Sequence, residues 1–307
     1  MNIRKVLLVG TISNVSSVIE SELNRVLAAL SYFEEVQVFL VESDSIDSTI
    51  ETLKHVSQKI KNLSFVSLGT LSTIIPNRIE RLRYCRNTYV EYIKNNFSSE
   101  NLDYVVVADL DGMNPKISIT GISSCFTTNN DWDACFSNQL AGYSDIYALR
   151  CKDWQDGDCF EELEEMNSQY RNRLNSKSVL RNVRYALKNQ RFRNASIYSK
   201  MKRISKNSPW IRVDSAFGGF AIYRAEIFFM HNYDKPEKNG PLVSEHVDFH
   251  YKIINSKLYI NPGLINANWN TYNLNRFPLI RYLRVLIRKS NKIRDILKKF
   301  MVWKSYR

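Results

Sequence analysis

Apolar runs and amphipathic segments alternate along the first third of the chain. Strands are predicted for four apolar runs: KVLLVGTIS, EVQVFL, LSFVSLG and LDYVVVADLDG. Between them, apolar residues recur at helical spacing in SSVIESELNRVLAALSYF, in IETLKHVSQKI and in residues 77–95, which follow Pro76. This β-α-β-α-β-α-β order predicts an α/β fold with a single, mostly parallel central sheet flanked by helices.

The second half of the chain has a less regular pattern. Beyond Asp111, WDACFSNQLAGYSDIYALR predicts a helix and a strand. VDSAFGGFAIYRAEIF predicts a strand with a Gly-Gly break that leads to another strand or a short helix. SEHVDFHYKIINSK predicts a helix that begins after Ser244, and LYINPGLIN predicts the last strand. Residues 152–210 are polar and then basic, and their pattern assigns no element. Because no internal repeat and no Gly/Pro-rich linker divides the chain, we expect one main domain over residues 1–270.

The positive charge of the chain is concentrated in two segments. Residues 171–206 contain twelve Lys or Arg and no Asp or Glu, and residues 276–307 contain eleven Lys or Arg and one Asp. Together they carry +22 in a chain with a net charge of +12, so the remaining residues sum to −10. Basic segments of this kind attract phosphates, either in nucleic acid or on an anionic membrane.

The second basic segment has an amphipathic pattern. From Leu279 to Phe300, apolar residues recur with Lys and Arg between them, which predicts a basic helical tail over residues 271–307. Such helices lie on anionic membranes or pack on another protein. No run approaches the roughly 18 apolar residues of a membrane span, and the five cysteines lack C-x-x-C spacing, which favours a reducing compartment. We therefore expect a cytoplasmic protein that attaches peripherally to the inner face of the plasma membrane.

Two aspartates follow the fourth predicted strand, at Asp109 and Asp111. In open α/β sheets, ligands bind at the carboxyl ends of the strands. Two neighbouring carboxylates repel each other unless a cation lies beside them, and Mg²⁺ or Mn²⁺ is typically held by one or two carboxylates plus substrate phosphates. The pair therefore predicts a metal that bridges Asp-x-Asp to a diphosphate, with a solvated acidic turn as the alternative.

Several segments resemble glycosyltransferases of the GT-A fold. The similar segments are VESDSIDST, NRIERLRYCRNTYVEYI with its Arg-Asn pair, SAFGGFAIYRAEIF and SEHVDFHYKI, and their order covers residues 3–270. Within that fold, RIERLRYCRN, WDACFSNQLAGYSDIYALR and SAFGGFAIYR resemble the capsule-associated α-mannosyltransferase-like family and its bacterial relatives. The resemblance implies a nucleotide-sugar half near residues 1–115, an acceptor half near 116–270, and a basic insertion at 171–206.

The resemblance implies an activity as well. A metal-dependent glycosyltransferase would move a sugar from a nucleoside-diphosphate sugar to a growing cell-surface glycan of the capsule or lipopolysaccharide type. The donor would be GDP-mannose or, slightly less favoured, a UDP-hexose, and the acceptor a glycan or lipid-linked glycan. The basic tail would then meet an anionic membrane surface.

Individual residues receive roles from the same resemblance. Asp109 and Asp111 would hold Mn²⁺ or Mg²⁺, and His250 could complete the metal site. Glu245 is favoured as the base or as the anchor of the acceptor hydroxyl, followed by Asp248 and by His246, which stands where related enzymes have Asp in Glu-Asp-x-Asp. Contacts to the nucleotide, the diphosphate or the sugar are implied for Glu42, Asp44, Arg86, Asn87, Asp109, Asp145, Gly218 and Gly219.

Alternatives remain open for the residues and for the whole chain. Glu245 and Asp248 would favour a helix dipole without any catalysis, Glu42 could lie in a solvated turn, Arg86 could be a surface cation, and the glycine pair a β-bulge. The basic segments and the 17 tyrosines suggest a nucleic-acid-binding protein, but no nucleic-acid motif is present, and we expect no such partner. A nucleotidyltransferase is disfavoured because LLVGTISNVSS has a single glycine. A catalytically inactive protein with the GT-A fold is the third alternative.

Overall fold

A computed structural model gives the fold of most of the chain. It describes residues 4–127, 129–158, 179–234, 243–253, 255–274 and 276–277, together with positions 163, 165 and 168. The predicted basic tail beyond residue 277 and the first part of the basic insertion, residues 171–178, lie outside the described residues.

Eight strands of the described chain form one sheet. They are β1 (Lys5–Ile12), β2 (Glu35–Glu42), β3 (Leu63–Ser67), β4 (Tyr104–Ala108), β5 (Ala134–Gln139), β6 (Ile211–Arg212), β7 (Phe220–Arg224) and β8 (Leu258–Ala267). Their order in the sheet is β3-β2-β1-β4-β7-β5-β8-β6. The neighbours among β3, β2, β1 and β4 are parallel, and β5 and β8 are parallel too. The predicted α/β fold with a mostly parallel central sheet is therefore confirmed.

Helices lie on both sides of this sheet. They are α1 (Ile19–Leu30), α2 (Thr49–Lys59), α3 (Arg78–Asn96), α4 (Ile119–Ser123), α5 (Val179–Ser196), α6 (Glu226–Met230), α7 (Glu245–Lys252) and α8 (Thr271–Leu274), with 3₁₀ turns at Leu71–Thr73 and Tyr198–Lys200. Helix α3 begins as predicted after Pro76, because the Asn77 side chain accepts hydrogen bonds from the amides of Ile79 and Glu80. Among the described helices, none is long and apolar enough to cross a bilayer.

The alternation of side chains along the strands produces two apolar layers. Val6 and Leu8 of β1 belong to the layer that contains the buried residues of α1 and α2, whereas Leu7 and Val9 belong to the layer that contains those of α3. Successive side chains of a strand point to opposite faces of the sheet, so β1 is apolar at nearly every position. This double burial explains the continuous apolar runs in the sequence.

The prediction of a helix within residues 132–150 is wrong. That stretch forms β5 and then continues through turns. Gly142 has a φ of +138°, which a right-handed helix does not contain, and a Cβ at this position would lie 2.9 Å from the carbonyl oxygen of Met201. A close approach of two backbone segments therefore takes the place of the helix.

Strand β7 departs from the parallel pattern. It runs antiparallel between β4 and β5, and β6 runs antiparallel to β8. The amino end of β7 therefore lies at the same edge of the sheet as the carboxyl ends of β4, β5 and β8. This edge brings together the Asp109 loop, Gly218, Gln139 and Asn266, which come from four distant parts of the sequence.

Candidate active site

Asp109 and Asp111 lie directly after β4, where the sheet ends. The amide of Asp109 donates to the carbonyl of Gly219 over 2.9 Å, which extends the pairing of β4 with β7 by one residue. The Asn114 side chain donates to the carbonyl of Asp109 over 2.6 Å. Gly112 has a φ of +90°, so the chain turns sharply just beyond the second aspartate. The two carboxylates are thus carried by a hydrogen-bonded turn.

The electrostatics of this turn favour a cation. Desolvation and the neighbouring charge of Asp111 raise the pKa of Asp109 to about 7, against the opposing effect of Arg86. Desolvation also raises the pKa of Asp111. A divalent ion beside the pair would stabilise both charged forms, so these residues fit a Mg²⁺ or Mn²⁺ ion. Within the described chain, no group of three or more His, Cys, Asp or Glu side chains is placed to hold a metal.

Arg86 joins two of the acidic residues at the site. Its Nε donates to Oε1 of Glu245 over 3.1 Å, and its Nη2 lies 3.9 Å from Oδ1 of Asp109. The guanidinium is buried and lies over the rings of Phe217 and Tyr233, 5.4 and 5.6 Å from their centroids. A guanidinium stays charged in proteins, so Arg86 provides a fixed positive charge between two carboxylates.

Asp145 belongs to the same acidic cluster. Its carboxylate accepts hydrogen bonds from the amide of Gly218 at 3.1 Å and from that of Ala148 at 3.4 Å. Burial raises its pKa, and the charge of Glu245 acts in the same direction. We call Asp109, Asp111, Asp145 and Glu245 the carboxylate cluster.

A second arginine pairs the two helices next to the cluster. Arg83 forms an ion pair with Asp248, just as Arg86 does with Glu245. Both arginines lie on α3 and both acids on α7, and each pair of residues is three positions apart. All four residues are at most 6% exposed. Asp248, predicted as the second candidate base, is therefore engaged in an interhelical ion pair.

His250, predicted as a metal ligand, has protein partners at both ring nitrogens. Its Nδ1 lies 2.8 Å from the hydroxyl of Ser215, and its Nε2 lies 3.0 Å from the hydroxyl of Tyr223. Because Ser215 donates its own proton to the carbonyl of Ala148, it accepts from Nδ1, and Tyr223 donates to Nε2. Burial and Arg86 lower the pKa of His250 to about 3. This neutral histidine has no free lone pair, so we leave it out of the proposed metal site.

His246, the third candidate for catalysis, is buried in an apolar environment. Its ring stacks on Phe217 with centroids 3.9 Å apart, and neither ring nitrogen has a hydrogen-bond partner among the described residues. Burial, Arg86 and His250 hold its pKa well below the usual value. The geometry gives His246 no acceptor or donor through which it would move a proton.

The predicted nucleotide contacts at the end of β2 and in the middle of α3 already have hydrogen-bond partners within the protein. Glu42 is fully buried and accepts from the amide of Ser45 at 3.0 Å and from the hydroxyl of Ser67. Asp44 has a φ of +60° and accepts from the amide of Ser72 at 2.8 Å. Asn87 hydrogen-bonds the backbone of Tyr233 and the side chain of Asp234. In this conformation these three side chains shape loops.

The glycine pair brings backbone close to protein atoms. Gly218 has a φ of +75°, and a Cβ there would lie 2.8 Å from Nε2 of Gln139 and 2.9 Å from the carbonyl of Ser137. Gly219 has a φ of +89°, but a Cβ there would meet no atom closer than 3.5 Å. Gly218 is therefore required by packing as well as by backbone geometry.

Sequence reasoning missed the polar network beneath the cluster. Nδ2 of Asn266 donates to the carbonyl of Gly218 at 2.9 Å and to Oδ1 of Asn114 at 3.2 Å. Gln139 donates to Oδ1 of Asn266 at 2.9 Å and accepts from the amide of Ser144 at 3.1 Å. We call Asn114, Gln139 and Asn266 the amide network. All three residues are fully buried, and the amide network connects the loop that carries Asp109 with the loop that carries Asp145.

Glu22 of α1 is a further residue that the sequence did not reveal. Its carboxylate accepts from the amide of Asn114 at 2.7 Å and pairs with Arg25 at 2.6 Å. It is 1% exposed, and it holds the turn that follows Asp111. The only signal in the sequence is an acidic residue on the apolar face of a predicted helix, between Ile19 and Leu23.

Comparisons with known proteins yield structural likenesses. No protein-family model matches the chain, and no curated protein matches it. Among solved structures, the chain is similar to S. aureus TarS residues 1–349 (14% identity, TM-score 0.41, covering 83% of this chain and 57% of that one). It is also similar to the mannosyltransferase PcManGT from Pyrobaculum calidifontis in complex with GDP-Man and Mn²⁺ (12% identity, TM-score 0.45, covering 88% of this chain and 59% of that one). A third similar structure is glucosyl-3-phosphoglycerate synthase from Mycobacterium tuberculosis (12% identity, TM-score 0.38, covering 86% of this chain and 67% of that one).

The chain spans 57% and 59% of the first two structures. All three likenesses have TM-scores below 0.5. We therefore infer the function of this chain from the residues of its own site.

Proposed function

We propose that this chain is a metal-dependent glycosyltransferase that uses a nucleoside-diphosphate sugar. The observation that carries the proposal is the carboxylate cluster, where Asp109 and Asp111 follow a central strand and Asp109 lies close to Arg86, Asp145 and Glu245. Glycosyl transfer needs charge neutralisation at the leaving diphosphate, a held sugar and a group that receives the acceptor proton. The cluster contains a candidate for each of these tasks.

Asp109 and Asp111 are the proposed metal ligands. A bound Mn²⁺ or Mg²⁺ would neutralise the charge that develops on the diphosphate leaving group. The raised pKa values of both carboxylates support this assignment, because the pair is unfavourable without a cation. Arg86 places a second positive charge 3.9 Å from Asp109, so we assign it to the diphosphate or the donor sugar.

Asp145 and Glu245 are assigned to the sugars. Asp145 is fixed by two backbone amides, and its remaining lone pairs can accept from donor-sugar hydroxyls. Glu245 uses Oε1 to accept from Arg86, and we propose that its other oxygen, Oε2, accepts the proton of the acceptor hydroxyl.

The sequence resemblance supports finer assignments that extend this proposal. They are a GDP-mannose or UDP-hexose donor, a glycan or lipid-linked glycan acceptor, and a role in capsule or lipopolysaccharide synthesis. The basic tail supports peripheral attachment to the cytoplasmic face of a membrane.

Ligand-dependent thermal melting tests the proposal. We expect a nucleotide with Mn²⁺ to raise the melting temperature, since a ligand at about 100 times its Kd adds about 2.7 kcal/mol to the stability. Asp111→Asn should lose this shift and the hydrolysis of the donor. Glu100→Gln, which removes one exposed charge elsewhere, should keep both. Donor hydrolysis that persists in Asp111→Asn or in the presence of a chelator would contradict the metal role.

A further inference from the structure

A cavity of about 370 Å³ lies away from the carboxylate cluster. One wall is formed by residues 151–154, beyond the loop that carries Asp145, and the other by residues 202–211, which lead into β6. No member of the carboxylate cluster lines it. The cavity is thus separate from the proposed metal site.

The lining of this cavity is basic. Lys152, Lys202 and Arg203 contribute exposed cationic side chains, and Asp153 is the one acid among the lining residues. In the described part of the chain, none of these three cations forms an ion pair. The lining residues therefore carry a net charge of +2, and Asp156 and Asp214 lie close enough to act on Cys151 in the same lining.

One wall is rigid. The indole of Trp154 donates to the carbonyl of Lys200 over 2.7 Å, and the Lys202 ammonium lies 5.4 Å from the centre of its ring. The amide of Tyr143 donates to the carbonyl of Lys202 over 2.8 Å. The backbone that carries the cations is therefore tied to the segment that also carries Asp145.

The two walls continue into the proposed active site. The segments pair through Arg150 and Ser215, whose backbones exchange hydrogen bonds of 2.8 and 3.1 Å. Further along the same segments, Gly218 donates to Asp145. The eight residues from Ile211 to Gly218 are joined by seven Cα–Cα steps, which span at most about 25 Å when fully extended. A chain-like acceptor therefore can contact the cavity and the carboxylate cluster at once.

We propose that this cavity binds an anionic group, a phosphate or a carboxylate, of the acceptor, at a distance from the hydroxyl that reacts. The inference rests on the proposed function and names the acceptor class. The diphosphate of the donor is assigned to Asp109 and Asp111, so the cavity remains for the acceptor. Arg203 and the two lysines supply the donor groups that oxyanions prefer.

The first test measures anion binding without catalysis. Inorganic pyrophosphate is titrated calorimetrically into metal-free protein, in which the carboxylate cluster repels anions. We expect Lys202→Glu/Arg203→Glu to weaken binding at least tenfold with an unchanged melting temperature. Lys54→Glu/Lys61→Glu, which reverses two exposed charges next to β3, should bind like the wild type. Equal binding by all three proteins, or an equal loss in the control, would overturn the proposal.

The second test separates the cavity from the activity. With neutral and anionic glycan acceptors, the cavity variant should raise KM at least tenfold for the anionic ones only and leave donor hydrolysis unchanged. If the wild type hydrolyses no nucleotide sugar, the proposed function fails, whereas the pyrophosphate result stands by itself. Flotation with phosphatidylcholine vesicles, with and without phosphatidylglycerol, tests the other source of phosphate. If the cavity variant no longer floats with vesicles that contain phosphatidylglycerol but still transfers sugar to anionic acceptors like the wild type, the cavity binds lipid. That result would overturn the acceptor assignment.

Discussion

Gly218 and Gly219 are adjacent, but an added Cβ would be tolerated differently at the two positions. Both have positive φ, but only a Cβ at Gly218 would overlap protein atoms, at 2.8 and 2.9 Å. We expect Gly219→Ala to cost about 1–3 kcal/mol of unfolding free energy from backbone strain. Gly218→Ala should cost clearly more, because Gln139 and the Ser137 carbonyl must also move.

Urea unfolding of the two alanine variants measures this difference. Gly218→Ala should also lower donor binding, because the Gly218 amide donates to Asp145 and its carbonyl accepts from the amide network. Equal costs for the two substitutions would show that overlap at Gly218 is relieved without disturbing the network.

The pKa of Asp109 gives a second prediction at this scale. Its folded value of about 7 lies above the ordinary 3.8, so the folded protein binds the proton more tightly than the unfolded chain does. The stability of the metal-free protein should therefore fall as the pH rises from about 4 to 7. Mn²⁺ should reverse this loss at pH 7 and above.

Thermal melting across this pH range, with and without chelator, measures the effect. Asp109→Asn should be less sensitive to pH than the wild type and should lose the response to Mn²⁺. Glu100→Gln serves as the control for the loss of one exposed carboxylate. A metal-free wild type whose stability rises through the same window would contradict the assigned pKa.

At the scale of elements, α3 and α7 are joined by two buried ion pairs with different tasks. Asp248→Asn leaves the Arg83 charge without its main partner, and such a loss typically costs about 3–5 kcal/mol. We expect a cost near 3 kcal/mol, the low end of this range, because Arg83 also pairs with Glu80 at 2.9 Å. Glu245→Gln should instead lower kcat by about 10²–10⁴, because it removes the proposed base.

Melting temperatures and single-turnover rates distinguish the two variants. The folded fraction of Asp248→Asn should retain most of its transfer rate, whereas Glu245→Gln should lose rate beyond any loss of folded protein. If Asp248→Asn loses the larger share of the rate, the roles of the two acids are reversed.

The elements themselves were largely predictable, because buried parallel strands appear as continuous apolar runs. The four strands and three helices of residues 5–96 and 104–108 all occur. The direction of β7 was not predictable, since a five-residue apolar run carries no information on its partner.

Of the candidate site, the carboxylate pair was visible in the sequence as a motif. Glu22, Gln139 and Asn266 were not, because polar residues within apolar segments acquire a role only when the sheet edge brings them together.

At the scale of the whole molecule, the positive charge is concentrated in residues 171–206 and 276–307, and the rest of the chain carries a net charge of −10. The tail beyond residue 277 lies outside the described residues, and its membrane attachment stays a prediction. We expect the full chain to float with vesicles that contain phosphatidylglycerol, and a chain shortened at Asn275 to lose this binding. Both should bind nucleotide with Mn²⁺ alike. Equal flotation of the two proteins would reject attachment through the tail.

The antiparallel insertion of β7 has a consequence for how the protein forms during synthesis. Strands β1 to β4 can assemble from contiguous sequence, but β4 acquires its second neighbour only from residues 220–224. Loop closure over about 110 residues is slow compared with local pairing. A nascent chain that stops short of β7 therefore has half a sheet with the Asp109 amide unpaired. If the proposed function is correct, activity requires that residues 220–224 have first paired with β4.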